Sequence, residues 1–132
     1  MSVTPAPTAD RPAATILVVE DDPAVREAVV WVLKLMGYAT REAGDGPAAL
    51  EILDSDPAIR LMFSDLVMPK AMNGVELARE ARRRHPALKI VLTTGYSAAA
   101  VSQPFGGSDI RVITKPYGND DLERTLEEIL AE

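Results

Sequence analysis

Thr15-Ile16-Leu17-Val18-Val19-Glu20-Asp21-Asp22-Pro23 decides how the rest of the chain is read. The first five residues are apolar or β-branched without a break, the pattern of a strand buried on both faces of a parallel sheet. Three acids follow at once. Asp22 and Pro23 then open a helix, one as a side-chain acceptor for the free N–H groups, the other as a pre-set first turn. A buried strand that passes directly into a helix is half of a β-α-β crossover. That helix is expected to run to about Met36, where Gly37 stops it.

The same alternation continues to the end of the chain. Tyr38 to Ala43 is a more polar strand, suited to a sheet edge. Gly46 and Pro47 start a short helix that ends near Asp54, and Ile59 to Ser64 is the third strand. Asn73 to Arg84 reads as a helix broken by Pro86, and Lys89 to Thr93 as the fourth strand. Ser97 to Phe105 is a weak, Ala-rich helix ended by Pro104 and Gly106-Gly107. Ile110 to Thr114 is the fifth strand. Asn119 is expected to cap a last helix with Leu122, Leu126, Ile129 and Leu130 at helical spacing. Five β-α units in a row call for an α/β fold with helices on both faces of a parallel sheet. The expected form is a flavodoxin-like (βα)5 three-layer sandwich with strand order 2-1-3-4-5. Residues 1–13, rich in Pro, Ala, Thr and Ser, read as a disordered N-terminal tail, and residues 14–132 as one domain.

Composition excludes several classes of function. With no cysteine, there is neither a disulfide framework nor a thiolate metal site. No apolar run approaches the ~18 residues of a membrane span. The N-terminus also lacks the charged start and apolar middle of a signal peptide. A cytoplasmic protein without a membrane partner is expected. A formal net charge of −6 argues against nucleic acid as a direct partner. The one basic run, Arg82-Arg83-Arg84-His85, ends a helix, where cations suit the negative end of the dipole. His85 is the only histidine and lies far from the acids, so no Ser-His-Asp arrangement is available.

In sheets of this kind the site lies beyond the carboxyl ends of the strands, at the switch point between strands one and three. Strand one ends in Glu20-Asp21-Asp22, strand three in Asp65, strand four in Thr94 and strand five in Lys115-Pro116. The topology therefore gathers carboxylates, a hydroxyl and an ammonium at one edge. Packed acids repel, and one takes up a proton unless a cation joins them. A hard divalent ion, Mg2+ or Mn2+, accepts such oxygen ligands, and Mg2+ combines one or two carboxylates with phosphate oxygens. A carboxylate so placed can attack phosphorus and become an acyl phosphate. The ion and Lys115 would offset charge on the phosphoryl oxygens, and Thr94 would hydrogen-bond one of them.

The segments VVEDDP (18–23), SDLVMP (64–69), LTTGYS (92–97) and TKPY (114–117) resemble, in order and spacing, the four signature segments of response-regulator receiver domains. The resemblance covers about residues 14 to 131. It implies Asp65 as phosphoacceptor, Asp21 as a direct metal ligand, and Glu20 beside it acting through water. It adds the backbone carbonyl of Val67 as a further ligand, Thr94 as a switch hydroxyl, and Lys115 as partner of Asp65 or its phosphoryl group. Asp22 is left to helix capping, and Pro116 is expected after a cis peptide. The implied phosphodonor is a histidine kinase or a histidine phosphotransfer protein. The implied output is binding of a downstream protein partner, or a homodimer, through the fourth helix, strand five and the last helix. Such a domain phosphorylates and dephosphorylates itself and has no separate substrate, so it is a signalling domain rather than an enzyme.

Two positions depart from the family pattern. Pro69-Lys70-Ala71-Met72-Asn73-Gly74 carries one extra residue, and with TTGYS it resembles receivers attached to or working with hybrid histidine kinases. Val112 stands three before Lys115, where many receivers have an aromatic ring. Tyr96, two past Thr94, is a candidate to occlude the pocket or relay the signal instead. Glycines 74 and 95 are expected where backbone geometry is tight.

The first helix carries a second candidate surface. Val25, Val29, Val32, Leu33 and Met36 form the expected core stripe, which leaves Val30, Trp31 and Leu35 outside it. Trp31 and Leu35 are four apart and should touch. An exposed pair of that kind suits docking of a histidine kinase, a phosphotransfer helix or a second copy. The competing reading is that Trp31 covers the end of the last helix. Two other functions fit the acid cluster less well. One is a Mg2+-dependent phosphatase with an Asp nucleophile, which would carry a second acid where Val67 stands. The other is a phosphorylation-independent interaction module on a receiver scaffold, which the missing aromatic at Val112 keeps open.

Overall fold

The computed structural model describes residues 14–68, 72–95 and 110–131. In chain order these form β1 (Thr15–Val19), α1 (Pro23–Leu35), β2 (Ala39–Ala43), α2 (Gly46–Ser55) and β3 (Ile59–Asp65). Then come α3 (Gly74–Arg84), β4 (Lys89–Thr94), β5 (Ile110–Thr114) and α4 (Asn119–Leu130). The five strands make one sheet in the order β2-β1-β3-β4-β5, with every pair parallel. This is the expected flavodoxin-like arrangement. The expected tail at 1–13, the expected helix at 97–105, Tyr96 and residues 69–71 lie outside the described residues.

Strand alternation divides the core into two layers. Ile16 and Val18 of β1 pack with Leu61, Phe63 and Val91 against Leu33 of α1 and Leu122, Leu126 and Ile129 of α4. Leu17 and Val19 pack with Met62, Ile90 and Leu92 against Leu50 and Leu53 of α2 and Leu77 of α3. Burying each such side chain contributes about 1.5–3 kcal/mol. β2 is the polar edge strand, with only Ala43 fully covered.

The helix starts follow the local chemistry. Asp22 Oδ1 accepts from the amides of Ala24 and Val25 at 2.9 and 3.4 Å. Asp45 does the same for Ala48 at 2.8 Å, a cap the sequence reading had not assigned. Asn73 and Glu76 form a reciprocal capping box on α3, so Asn73 precedes the helix rather than opening it. Asn119 is not the cap of α4. Gly118 holds that position, and its amide donates to Asp121 Oδ2 at 3.4 Å. An acid in the first turn that reaches back thus supplies what Asn119 was expected to supply.

Most of the expected inward stripe of α1 is found: Leu33 is buried, and Val29, Val32 and Met36 pack partly buried against the same core. Val30, expected outside the stripe, is also buried, whereas Val25 is 41% exposed. Val25 sits in the first turn, beside the end of β1, where no further strand residue remains to cover it. Trp31 and Leu35 are 64% and 49% exposed, as expected.

Candidate functional site

The strand ends converge as the topology requires. Among the described residues, Glu20, Asp21 and Asp65 offer carboxylate oxygens that all lie within 4.8 Å of one another. β1 and β3 are neighbours, so the loop after β1 and the end of β3 share one corner of the sheet. Lys115, from the loop after β5, places its Nζ 3.2 Å from Asp65 Oδ2. The Val67 amide donates to Asp65 Oδ1 at 3.3 Å.

Glu20 is 8% exposed. Burial pushes its carboxyl above the usual range, the Asp22 amide opposes that shift at 3.1 Å, and repulsion from Asp21 and Asp65 adds to it. An acid cluster with one member short of solvent is chemically suited to a hard divalent cation. The donor set therefore fits such an ion.

Two residues that the sequence reading had not singled out shape the site. Arg26 Nη1 donates to the backbone carbonyl of Glu20 at 2.7 Å, and its Nε pairs with Glu42 at 3.3 Å. The side chain thus ties the acidic loop to edge strand β2. Tyr117 packs edge-on against Phe63, with ring centroids 6.2 Å apart at 88°. Its hydroxyl is pushed up by burial and by the negative charge of Glu20 and Asp65. Tyr117, Thr93, Asp65 and Lys115 line a cavity of about 20 Å3, room for about one water. The position of Arg26 one turn into a helix after the acids was the available signal. Tyr117 gave none beyond its place after Lys115-Pro116.

Thr94 is fully buried at the end of β4, and its carbonyl accepts from the Lys115 amide at 2.7 Å. Strand alternation puts Thr93, paired with Asp65 in the sheet, on the cavity side. Lys115-Pro116 is a cis peptide. A Cβ on Gly74 would lie 2.5 Å from the Asp65 carbonyl oxygen, which explains the glycine there. A Cβ on Gly95 would meet no atom within 4 Å. His85 lies at the far end of α3, with Nε2 2.9 Å from Asp54. Arg82, Arg83 and Arg84 occupy the last turn of α3 as expected. No described helix is long and apolar enough to cross a membrane.

Comparison with known proteins agrees with this geometry. The response regulator receiver domain family matches residues 16–127. The response regulator receiver protein CpdR of Brucella abortus is 37% identical over 116 residues, covering 87% of this chain and 95% of CpdR. The sensor kinase CckA of the same organism is 36% identical over 119 residues, 89% of this chain but only 12% of CckA. The response regulator TrrA of Thermotoga maritima, solved with Mg2+ and a beryllium fluoride, superposes with a TM-score of 0.78 at 30% identity. That match covers 88% of this chain and 98% of TrrA. The chain belongs to the response regulator receiver domain family of two-component signalling.

Proposed function

We propose that Asp65 is the phosphoacceptor of this receiver, in a unit spanning residues 14–132. The observation that carries the reading is the meeting of Asp65 with Glu20, Asp21 and Lys115 at one sheet edge. The donor is a phosphohistidine on a histidine kinase or a histidine phosphotransfer protein. An Asp65 carboxylate oxygen attacks phosphorus, the P–N bond breaks, and the imidazole leaves with the bonding pair and takes a proton. The product is an aspartyl phosphate, and later attack by water returns the carboxylate and phosphate.

Glu20, Asp21, Asp65 and the Val67 carbonyl would hold Mg2+ or Mn2+. The ion supplies charge neutralisation at the phosphoryl oxygens. Lys115, 3.2 Å from Asp65, contributes a second positive charge. Thr94 acts as the switch hydroxyl, and Tyr96 as an accessory to it. We place the protein in the cytoplasm, with output through a downstream protein partner or a homodimer. The exposed Trp31 and Leu35 on α1 support a docking face for the phosphodonor.

Intact-mass measurement after incubation with acetyl phosphate tests the reading. A gain of one phosphoryl group that requires Mg2+ and vanishes in Asp65→Asn is expected. Absence of any adduct, with no response to beryllofluoride, would overturn it in favour of the phosphorylation-independent module.

A further inference from the structure

Helix α1 is apolar on two opposite sides. One side, at Val30 and Leu33, is buried in the core. The other carries Ala24, Ala28, Trp31 and Leu35, all exposed. At about 100° per residue these four fall within about 60° of one another, across the helix from Leu33. Among the described residues four large apolar side chains are exposed, and three of them, Val25, Trp31 and Leu35, lie on this one helix. A surface helix ordinarily turns a charged face to water. The charged residues of α1 are Arg26, Glu27 and Lys34, and Arg26 is committed to the Glu20 carbonyl and to Glu42.

The exposed stripe has a definite spacing. Ala24, Ala28, Trp31 and Leu35 are separated by four, three and four residues, the repeat of the d and a positions by which one helix seats against another. Glu27 and Lys34 stand seven apart on one flank of that stripe, both at position g. Both are exposed, and neither has an ion pair among the described residues. One flank thus carries a charge of each sign, and the other, at Val25 and Val32, carries none. Two such helices set parallel would bring each charged flank against an uncharged one. Set antiparallel, they bring the charged flanks together. Glu27 of each copy then lies opposite Lys34 of the other, twice over by the two-fold axis. Opposite ends of the two helix dipoles also adjoin.

We propose that this face pairs with a second copy of the chain, α1 against α1, antiparallel about a two-fold axis near residues 30 and 31. Trp31 and Leu35 supply the apolar contact, and the two Glu27–Lys34 pairs fix direction and register. Exposed ion pairs add little affinity but select orientation. A helix of 13 residues is about 20 Å long. The contact therefore falls below about 1,200 Å2 in total, at the weak end of specific interfaces, and a Kd of roughly 100 µM is expected. The same face supports docking of the phosphodonor, so the pairing withholds the chain from its donor. The pairing itself does not depend on Asp65 being the phosphoacceptor.

The test is sedimentation velocity of the full chain, unphosphorylated and in chelator, from below to about tenfold above that Kd. A concentration-dependent dimer is expected, unchanged in Asp65→Asn. Trp31 is the sole tryptophan, so its emission should move to shorter wavelength as the dimer forms. Glu27→Lys and Lys34→Glu should each weaken the dimer about tenfold, because both symmetry-related pairs become like-charged. An equimolar mixture of these two variants should regain it, and so should the double variant Glu27→Lys/Lys34→Glu. Trp31→Ala should remove the dimer while melting as wild type does. A chain that stays monomeric throughout overturns the proposal and leaves the face to the phosphodonor alone. A dimer kept by Trp31→Ala uses another face and overturns it too. So does a dimer that the single variants lose but neither the mixture nor the double variant restores, since its helices run in another direction.

Discussion

The Lys115 ammonium stands 3.2 Å from the Asp65 carboxylate, across 50 positions of sequence. The pair is partly buried and closes one side of the acidic corner. Lys115 answers Asp65 directly, while Glu20 and Asp21 approach from β1. Lys115→Ala should slow phosphorylation by acetyl phosphate at least tenfold, by analogy with other lost charge contacts at transferring phosphoryl groups. Stability should change by only about 1 kcal/mol, because the lysine side chain keeps much of its contact with water. Rate from intact mass and melting on the same sample separate the two effects.

Glu20 should oppose folding when no cation is bound. Burial raises its pKa in the fold, so its ionisation weakens the fold as pH climbs through that raised value. At neutral pH in chelator, Glu20→Gln should therefore melt higher than wild type. Mg2+ at about a hundredfold excess over Kd should stabilise wild type by about 2.7 kcal/mol. It should stabilise Glu20→Gln clearly less. Equal Mg2+ stabilisation of both proteins would remove Glu20 from the cation site.

Gly74→Ala should damage both the fold and the site. The added Cβ would meet Asp65 O at 2.5 Å, Leu66 Cα at 2.7 Å and Leu66 O at 2.8 Å, all backbone atoms. Backbone cannot swing aside, and a cost of about 1–3 kcal/mol is expected from overpacking. The hydrogen bond from the Gly74 amide to the Leu66 carbonyl, 2.8 Å, would be strained at the same time. Chemical denaturation measures the cost, and the acetyl phosphate rate measures the displacement of Asp65.

Acid should loosen the end of α3. Hydrogen bonds from Arg83 and Arg84 hold the Glu80 carboxyl at about 2. A lowered folded pKa gives stability that is present above the ordinary value of 4.5 and lost as pH falls toward 2. The group is solvent-exposed, so the loss is small. Carboxyl NMR should show Glu80 titrating well below the ordinary value of 4.5. Glu80→Gln should remove that part of the pH dependence of melting.

Trp31→Ala should leave the fold nearly untouched, within about 0.5 kcal/mol, because the ring lies largely in water. Transfer from a cognate phosphohistidine protein should weaken far more, while phosphorylation by acetyl phosphate stays the same. A large loss of stability with normal transfer would instead make Trp31 a structural cover.

Local chemistry was enough to name nearly every described element and to bring Glu20, Asp21, Asp65 and Lys115 to one sheet edge. The apolar run before Glu20, the Asp22-Pro23 start and the Gly37 stop act over a few residues, and so do the periods of two and 3.6. The parallel order follows from β-α alternation, and that order sends Asp65, Thr94 and Lys115 to one edge. The placement of Val25 and Val30 on α1 was not legible in this way. Whether Val25 or Val30 turns inward depends on where the helix leaves the end of β1, a relation between elements. The Arg26 tie to the Glu20 carbonyl and the Tyr117 ring on Phe63 also join segments far apart in the chain.

The sequence alone determined the fold class, the strand order and the identity of the acids and the lysine, because pattern and strand ends are local properties. Only the tertiary structure decided that Thr93, beside Thr94, lines the cavity next to Asp65, how deeply Glu20 is buried, and that the register of β1 on β3 shifts between Thr15 and Ile16. Those outcomes depend on register between neighbouring strands, where a shift of one residue exchanges the two faces of the sheet.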